Sequence, residues 1–279
     1  MRWILRLLSS LVCCWSAAAS FGGEIESADG VPIRFDVHGH GEPTLVLVHG
    51  WSCDRSYWHA QVDEFAQTHR VVTIDLGGHG ESGRARKDWT VAAYAADVAA
   101  VVSVLELEGA VLAGHSMSGP VIVEAARLLP GKVRGLIGID TLHDMTREYS
   151  AEQIAGFVGG MSEDFPARTD AFVRSMFPTG ADQELVERVA GDMSAAPPEI
   201  ALPTMRHYLS HDLKPALAAI DVPIRCLNAD LWPVNLEGNR ALYGDFAVVT
   251  MVGVGHFLFL ESPAEFNGKL AEILRSLED

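Results

Sequence analysis

Apolar positions along this chain follow two rhythms. Near-continuous Val, Ile and Leu runs at 44–49, 70–75, 109–113, 133–140, 223–228 and 246–252 predict strands covered on both faces. Two further strands, 23–27 and 33–38, are joined through Asp29-Gly30 as a hairpin. Helix-period segments fall at 56–68, 91–106, 116–129, 236–243 and 263–277, the last opening on Ser262-Pro263, a cap followed by proline at the first helical position. Strand alternating with helix predicts an α/β fold: a doubly wound, mostly parallel eight-stranded sheet with helices on both faces. Between 143 and 219 the alternation stops. Helical patterns at 151–158, 168–176, 183–193 and 199–210, broken by Gly and Pro, predict a helical cap inserted after the sixth strand. The core is then 20–142 together with 220–279.

Composition narrows the classes. With 279 residues, 48% of them apolar, and 26 Gly and 13 Pro spread along its length, the chain is neither disordered nor a coiled coil. Its 21 Lys+Arg against 37 Asp+Glu give a charge of −16, the wrong sign for gripping nucleic acid or anionic lipid. Residues 1–19 stand apart. Arg2 and Arg6, then an apolar run through Leu11 to Trp15, then Ala17-Ala18-Ala19, follow the order of a secretory signal peptide cleaved after Ala19. The expected protein is secreted or periplasmic, without stable membrane insertion after signal removal, and its charge falls to −18 as Arg2 and Arg6 leave. That surplus favours uncharged or cationic small-molecule substrates over anionic ones. Two of the four cysteines leave with the signal. Cys53 and Cys226 remain, expected as buried free thiols.

Three segments point to nucleophilic catalysis. Gly114-His115-Ser116-Met117-Ser118-Gly119 lies between a strand and a helix, where small residues two positions either side of Ser116 permit a turn tight enough to lift its hydroxyl above the sheet. Ser118 stands where a second glycine is usual. The helix N-terminus then aims the Met117 amide at a developing oxyanion. The strand ending in His49-Gly50 turns at the glycine and offers the Trp51 amide as a second donor. Gly253-Val254-Gly255-His256-Phe257 sets a lone histidine on a glycine-flanked loop, as a general base requires. His115 is expected to pack. Trp51, Trp58, Phe157, Met161, Phe172, Met176 and Phe177 are candidates either for core or for an apolar pocket beneath the cap. Gly78-His79-Gly80-Glu81-Ser82-Gly83 fits a dinucleotide fingerprint, but no helix opens there, so a tight turn is expected and no cofactor. No paired Cys/His spacing implies a metal.

In this arrangement the chain resembles the α/β-hydrolase superfamily over nearly everything beyond residue 19. The motifs carrying the resemblance are His49-Gly50-Trp51, Asp75-Leu76-Gly77-Gly78-His79-Gly80-Glu81-Ser82, the turn at Ser116, and Gly255-His256-Phe257 followed by Glu261-Ser262-Pro263. The resemblance implies an eight-stranded sheet, a cap after the sixth strand and a Ser-His-acid triad of Ser116, His256 and a carboxylate. Two carboxylates compete. Asp230 is the first choice, just beyond the seventh strand, although it arrives about two residues early. Asp140, at the end of the sixth strand, is where some capped members carry their acid. The implied function is a serine hydrolase, carboxylesterase-like, acting on a small, largely apolar ester, thioester or lactone. Carbon–carbon bond hydrolysis, perhydrolysis and amide cleavage use the same triad, and a ligand-sensing protein with a hydrolase-like pocket is the competing class.

Overall fold

The computed structural model describes residues 20–277; the export-signal reading of 1–19 lies outside them. The chain runs β1 (Ser20–Glu26), β2 (Pro32–His38), β3 (Leu45–Val48), a 3-10 turn (Arg55–Trp58), α1 (His59–Phe65), β4 (Val71–Ile74), α2 (Val91–Val104), β5 (Ala110–His115), α3 (Ser118–Leu128) and β6 (Val133–Ile139). Five helices follow: α4 (Ala151–Glu163), α5 (Phe165–Arg174), α6 (Gln183–Ser194), α7 (Pro198–Leu209) and α8 (Lys214–Leu217). The chain then returns through β7 (Ile224–Ala229), α9 (Leu236–Leu242), β8 (Phe246–Met251), α10 (Leu258–Glu261) and α11 (Pro263–Ser276).

The eight strands form one sheet in the order β1-β2-β4-β3-β5-β6-β7-β8. The β1/β2 and β2/β4 pairs are antiparallel and the rest are parallel. All residues of β3, β4 and β5 are buried, as strands covered on both faces must be. Register does the positioning. Val48 pairs with Gly114 and Ile139 with both His115 and Leu227, so β3, β5, β6 and β7 end side by side. Whatever follows those four strands meets above one edge of the sheet, where ligands bind in open α/β sheets.

Helix boundaries differ from the periodic pattern where capping side chains set them. The helix expected at 56–68 splits into the 3-10 turn, capped by Asp54 on the Ser56 amide, and α1. Helix α4 continues past Gly159-Gly160 to Glu163, because Ile154, Val158 and Met161 keep one face buried; Ser150 and Gln153 form a capping box at its start. Helix α5 begins at Phe165, three residues early, with Asp164 as cap and a proline in the first turn. Among the described residues no helix is long and apolar enough to cross a membrane.

Candidate active site

Ser116 leaves β5 with φ +55°, a left-handed conformation that a non-glycine residue adopts at a cost of about 1–3 kcal/mol. The surroundings enforce it. The Ser116 amide donates to the Ile139 carbonyl at 2.9 Å, and its carbonyl accepts from the Thr141 hydroxyl at 2.6 Å and the Gly119 amide at 3.0 Å. A side chain at Gly114 would start 2.4 Å from the Ser118 carbonyl, and one at Gly119 would start 2.3 Å from the Thr141 hydroxyl. Ser118 is buried and its hydroxyl donates to the His49 carbonyl, so the extra oxygen is absorbed in tying α3 to the end of β3. From Ala110 to Ala126, Ser116 alone is not buried.

His256 and Asp140 meet. Nδ1 of His256 donates to Oδ2 of Asp140 at 2.5 Å, while Oδ1 accepts the Ala229 amide at 2.9 Å. The Asp140 side chain is fully buried. Burial works to raise its pKa, but His143 and His256 outweigh it and hold the carboxyl well below the usual range. Asp230, the first choice from sequence, is elsewhere: its carboxylate accepts the Gly253 amide at 2.9 Å and its own amide donates to the Met251 carbonyl. It caps the turn after β8. Asp140 follows the last residue of β6 with a φ of +44°.

The His256 loop is pinned. Its amide donates to the Met176 carbonyl at 2.9 Å, and Glu261 accepts the amides of Gly255 and Phe257 at 2.9 and 3.1 Å. A Cβ at Gly255 would sit 2.3 Å from the Met176 carbonyl, which explains the glycine before the histidine. His115 packs as expected. Its Nε2 donates to the His256 carbonyl at 3.0 Å, and burial pushes its pKa well down. Gly50 makes room for it: a Cβ there would lie 2.7 Å from His115 Nδ1. The amides of Trp51 and Met117 have no hydrogen-bond acceptor among the described residues. No hydrogen bond joins Ser116 Oγ to His256 in this conformation, which is common before substrate binds.

A cavity of about 430 Å³ holds Ser116, Asp140 and His256 in its wall. Trp51, Phe157, Phe172, Met176, Met193 and Met205 supply its apolar side, so the helices between β6 and β7 face the sheet edge across it. Of the aromatic and Met candidates, Trp58, Met161 and Phe177 are core instead; Trp58 stacks on Phe259 at 4.3 Å. The Trp51 indole donates to the Ala201 carbonyl of α7 at 2.8 Å, tying core to cap. A wider cleft of about 820 Å³ adjoins the cavity and shares Thr141, His143, Tyr149, Tyr208, Leu209 and Trp232 with it. Sequence reading passed over His143 and Trp232, since neither belongs to a motif. The glycine-rich segment after β4 is structural. Asp75 accepts the amides of Arg55 and Glu81 and pairs with the Arg55 guanidinium, and the φ of +83° at Gly78 and +49° at Gly80 makes the turn. Cys53 and Cys226 are free and buried, and burial pushes both thiols up.

The family model "Alpha/beta hydrolase family" matches residues 45–269. The chain belongs to this family. It is 27% identical over 241 residues to a pimeloyl-[acyl-carrier protein] methyl ester esterase of Yersinia pseudotuberculosis, covering 82% of this chain and 92% of that protein. It is also 33% identical over 154 residues to the dihydrolipoyllysine-residue acetyltransferase component of the acetoin cleaving system of Pseudomonas putida. That match covers 55% of this chain but only 40% of the relative. A thermophilic esterase from Thermogutta terrifontis superposes with a TM-score of 0.79 at 24% identity, over 93% of this chain and all of the other, a likeness of fold.

Proposed function

We propose that this α/β hydrolase is an exported serine esterase working through an acyl-enzyme, with Ser116 as nucleophile, His256 as general base and Asp140 as the triad acid. Ser116 Oγ bonds to the ester carbonyl carbon as His256 Nε2 takes its proton. The carbonyl oxygen, now an anion, accepts from the Trp51 and Met117 amides, each worth about 10²–10³ in rate. Collapse expels the alcohol, which takes the proton from His256; water then repeats the sequence and frees the acid. Asp140 keeps the His256 proton on Nδ1 and stabilises the imidazolium.

The observation carrying this reading is the 2.5 Å bond from His256 to the buried Asp140, with a strained Ser116 in the wall of the same cavity. The apolar cavity suits a small acyl group, and the adjoining cleft, with Asp144, Arg147, Glu148 and Lys214 in its walls, suits a polar leaving group. The esterase relative matched over most of its length supports ester chemistry over amide cleavage. The test is labelling by a fluorophosphonate together with hydrolysis of short p-nitrophenyl esters. Both should be present in the folded protein and lost in Ser116→Ala. A folded wild-type protein that neither labels nor turns over would instead be a binding protein with this pocket.

A further inference from the structure

A single hydrogen bond joins the loop of His256 to the strand that carries Ser116. His115 is the last residue of β5, one position before Ser116, and the sheet fixes its backbone, where it pairs with Ile139. Its Nε2 donates to the main-chain carbonyl of His256 at 3.0 Å, and the two rings lie 4.5 Å apart. The other bonds that pin the loop come from elsewhere: the Met176 carbonyl after α5, Glu261 in α10, Asp230 after β7 and Asp140 after β6. Among the described residues, no other hydrogen bond runs from 253–257 to β5 or to the turn at Ser116. The ring is set to make that bond. His115 is 1% exposed, with Phe259 edge-on at 4.9 Å and Trp58 at 6.5 Å, and a Cβ at Gly50 would lie 2.7 Å from its Nδ1. Nδ1 is buried without a hydrogen-bond partner among the described residues. A phenyl ring would fill this space without leaving a nitrogen unsatisfied, so what the imidazole adds is the Nε2 bond.

We propose that His115 is a positioning residue: by holding the His256 carbonyl from the nucleophile's own strand, it sets where the base stands relative to Ser116 Oγ. The inference rests on the reading of Ser116 as nucleophile and His256 as base. The loop needs such a tie. Gly253 has a φ of +79° and Gly255 follows it closely, so the backbone carrying His256 is permissive and its place is set by bonds. Asp140 holds the Nδ1 edge of the His256 ring. The Nε2 edge, which takes the Ser116 proton, has no hydrogen bond among the described residues in this conformation, so its distance from Ser116 depends on where the backbone of His256 sits. His115 takes no part in the proton transfer and acts through His256. Misplacing a reacting group by about 1 Å costs about 10²-fold in rate.

The experiment is steady-state kinetics on p-nitrophenyl butyrate for wild type, His115→Gln, His115→Asn and His115→Phe, with circular dichroism identifying the folded variants. A glutamine amide nitrogen stands as many bonds from Cα as Nε2 does, an asparagine nitrogen stops where Nδ1 would be, and Phe keeps a ring with no donor. His115→Asn and His115→Phe should lower kcat by about 10–100-fold with KM within about threefold of wild type, and His115→Gln should bring kcat back to within about threefold. The rate at which a fluorophosphonate labels Ser116 should follow the same order. Wild-type kcat in folded His115→Asn or His115→Phe overturns the inference. So does a folded Gln variant no faster than Asn, the result that a ring needed only for packing would give. If the Asn and Gln variants fail to fold, 15N-histidine NMR of the wild-type protein decides: neutral His115 should carry its proton on Nε2, and the Nδ1–H tautomer overturns the assignment. Activity retained by Ser116→Ala removes the triad and this inference together, whereas an inert Ser116→Ala beside a fully active His115→Asn removes this inference alone.

Discussion

A carboxylate serves a histidine only if it reaches the ring nitrogen, and chain spacing alone does not decide this. Asp230 and Asp140 stand at the ends of adjacent parallel strands, so both are plausible until register and backbone conformation are known. The sequence carries no mark of the positive φ at Asp140, nor of the bond by which Asp230 caps Gly253. Ser116 and His256 were legible because each stands beside glycines that the chain needs for close approach, Gly114 and Gly119 at Ser116 and Gly255 at His256. At this scale the expected result is a contrast. Asp140→Asn should lower kcat by about 10³–10⁴ with the fold intact, because the His256 tautomer is no longer fixed. Asp230→Asn should leave kcat within a few-fold and cost at most about 1–2 kcal/mol of stability. Circular dichroism and p-nitrophenyl ester kinetics on both variants check this, and the reverse ranking would reinstate Asp230.

At the scale of elements, the strands were the most readable part, since buried parallel strands announce themselves as Val, Ile and Leu runs. Of the helices between β6 and β7, α6 and α7 were readable to within a residue, whereas α4 and α5 were readable in position but not in extent. Helix α4 shows why: Gly159 and Gly160 read as a break, yet burial of every third or fourth residue carries the helix through them. Gly156 and Gly159 are exposed, and a Cβ at either meets nothing within 4 Å. Their only effect on stability is then the conformational freedom they grant the unfolded chain. Gly156→Ala and Gly159→Ala should each stabilise by about 0.5–1 kcal/mol, seen as a Tm about 2–4 °C higher per kcal/mol. Because Gln153 and Phe157 of the same helix line the cavity, kcat measured alongside reports whether turnover depends on a pliable α4. A lower Tm in both variants would mean that the glycines answer a contact the fold does not show.

For the whole molecule, the edge that assembles the site also gathers histidines away from water, and acid should find them. His49, His79 and His115 are buried, and burial lowers the pKa of each, to about 4 for His49. Burial holds each ring neutral, against a carbonyl that accepts from one of its nitrogens: His49 Nδ1 to the Gly50 carbonyl, His79 Nδ1 to the Gly77 carbonyl, His115 Nε2 to the His256 carbonyl. Unfolding frees them to take up protons near pH 6.5. Between about 6.5 and 4 the unfolded chain therefore binds more protons than the folded one, and stability falls as pH falls, by about 1.4 kcal/mol per pH unit for each histidine. Burial pushes Asp75 and Asp97 the other way, against the pull of Arg55 and Arg86, so the histidine slope is best read above the carboxylate range. Urea unfolding at pH 7, 6 and 5 should show a loss of about 4 kcal/mol or more over that span. His79→Gln should flatten the slope by about one proton. A stability unchanged from pH 7 to 5 would mean that these rings are already charged in the folded protein, against the burial that lowers their pKa.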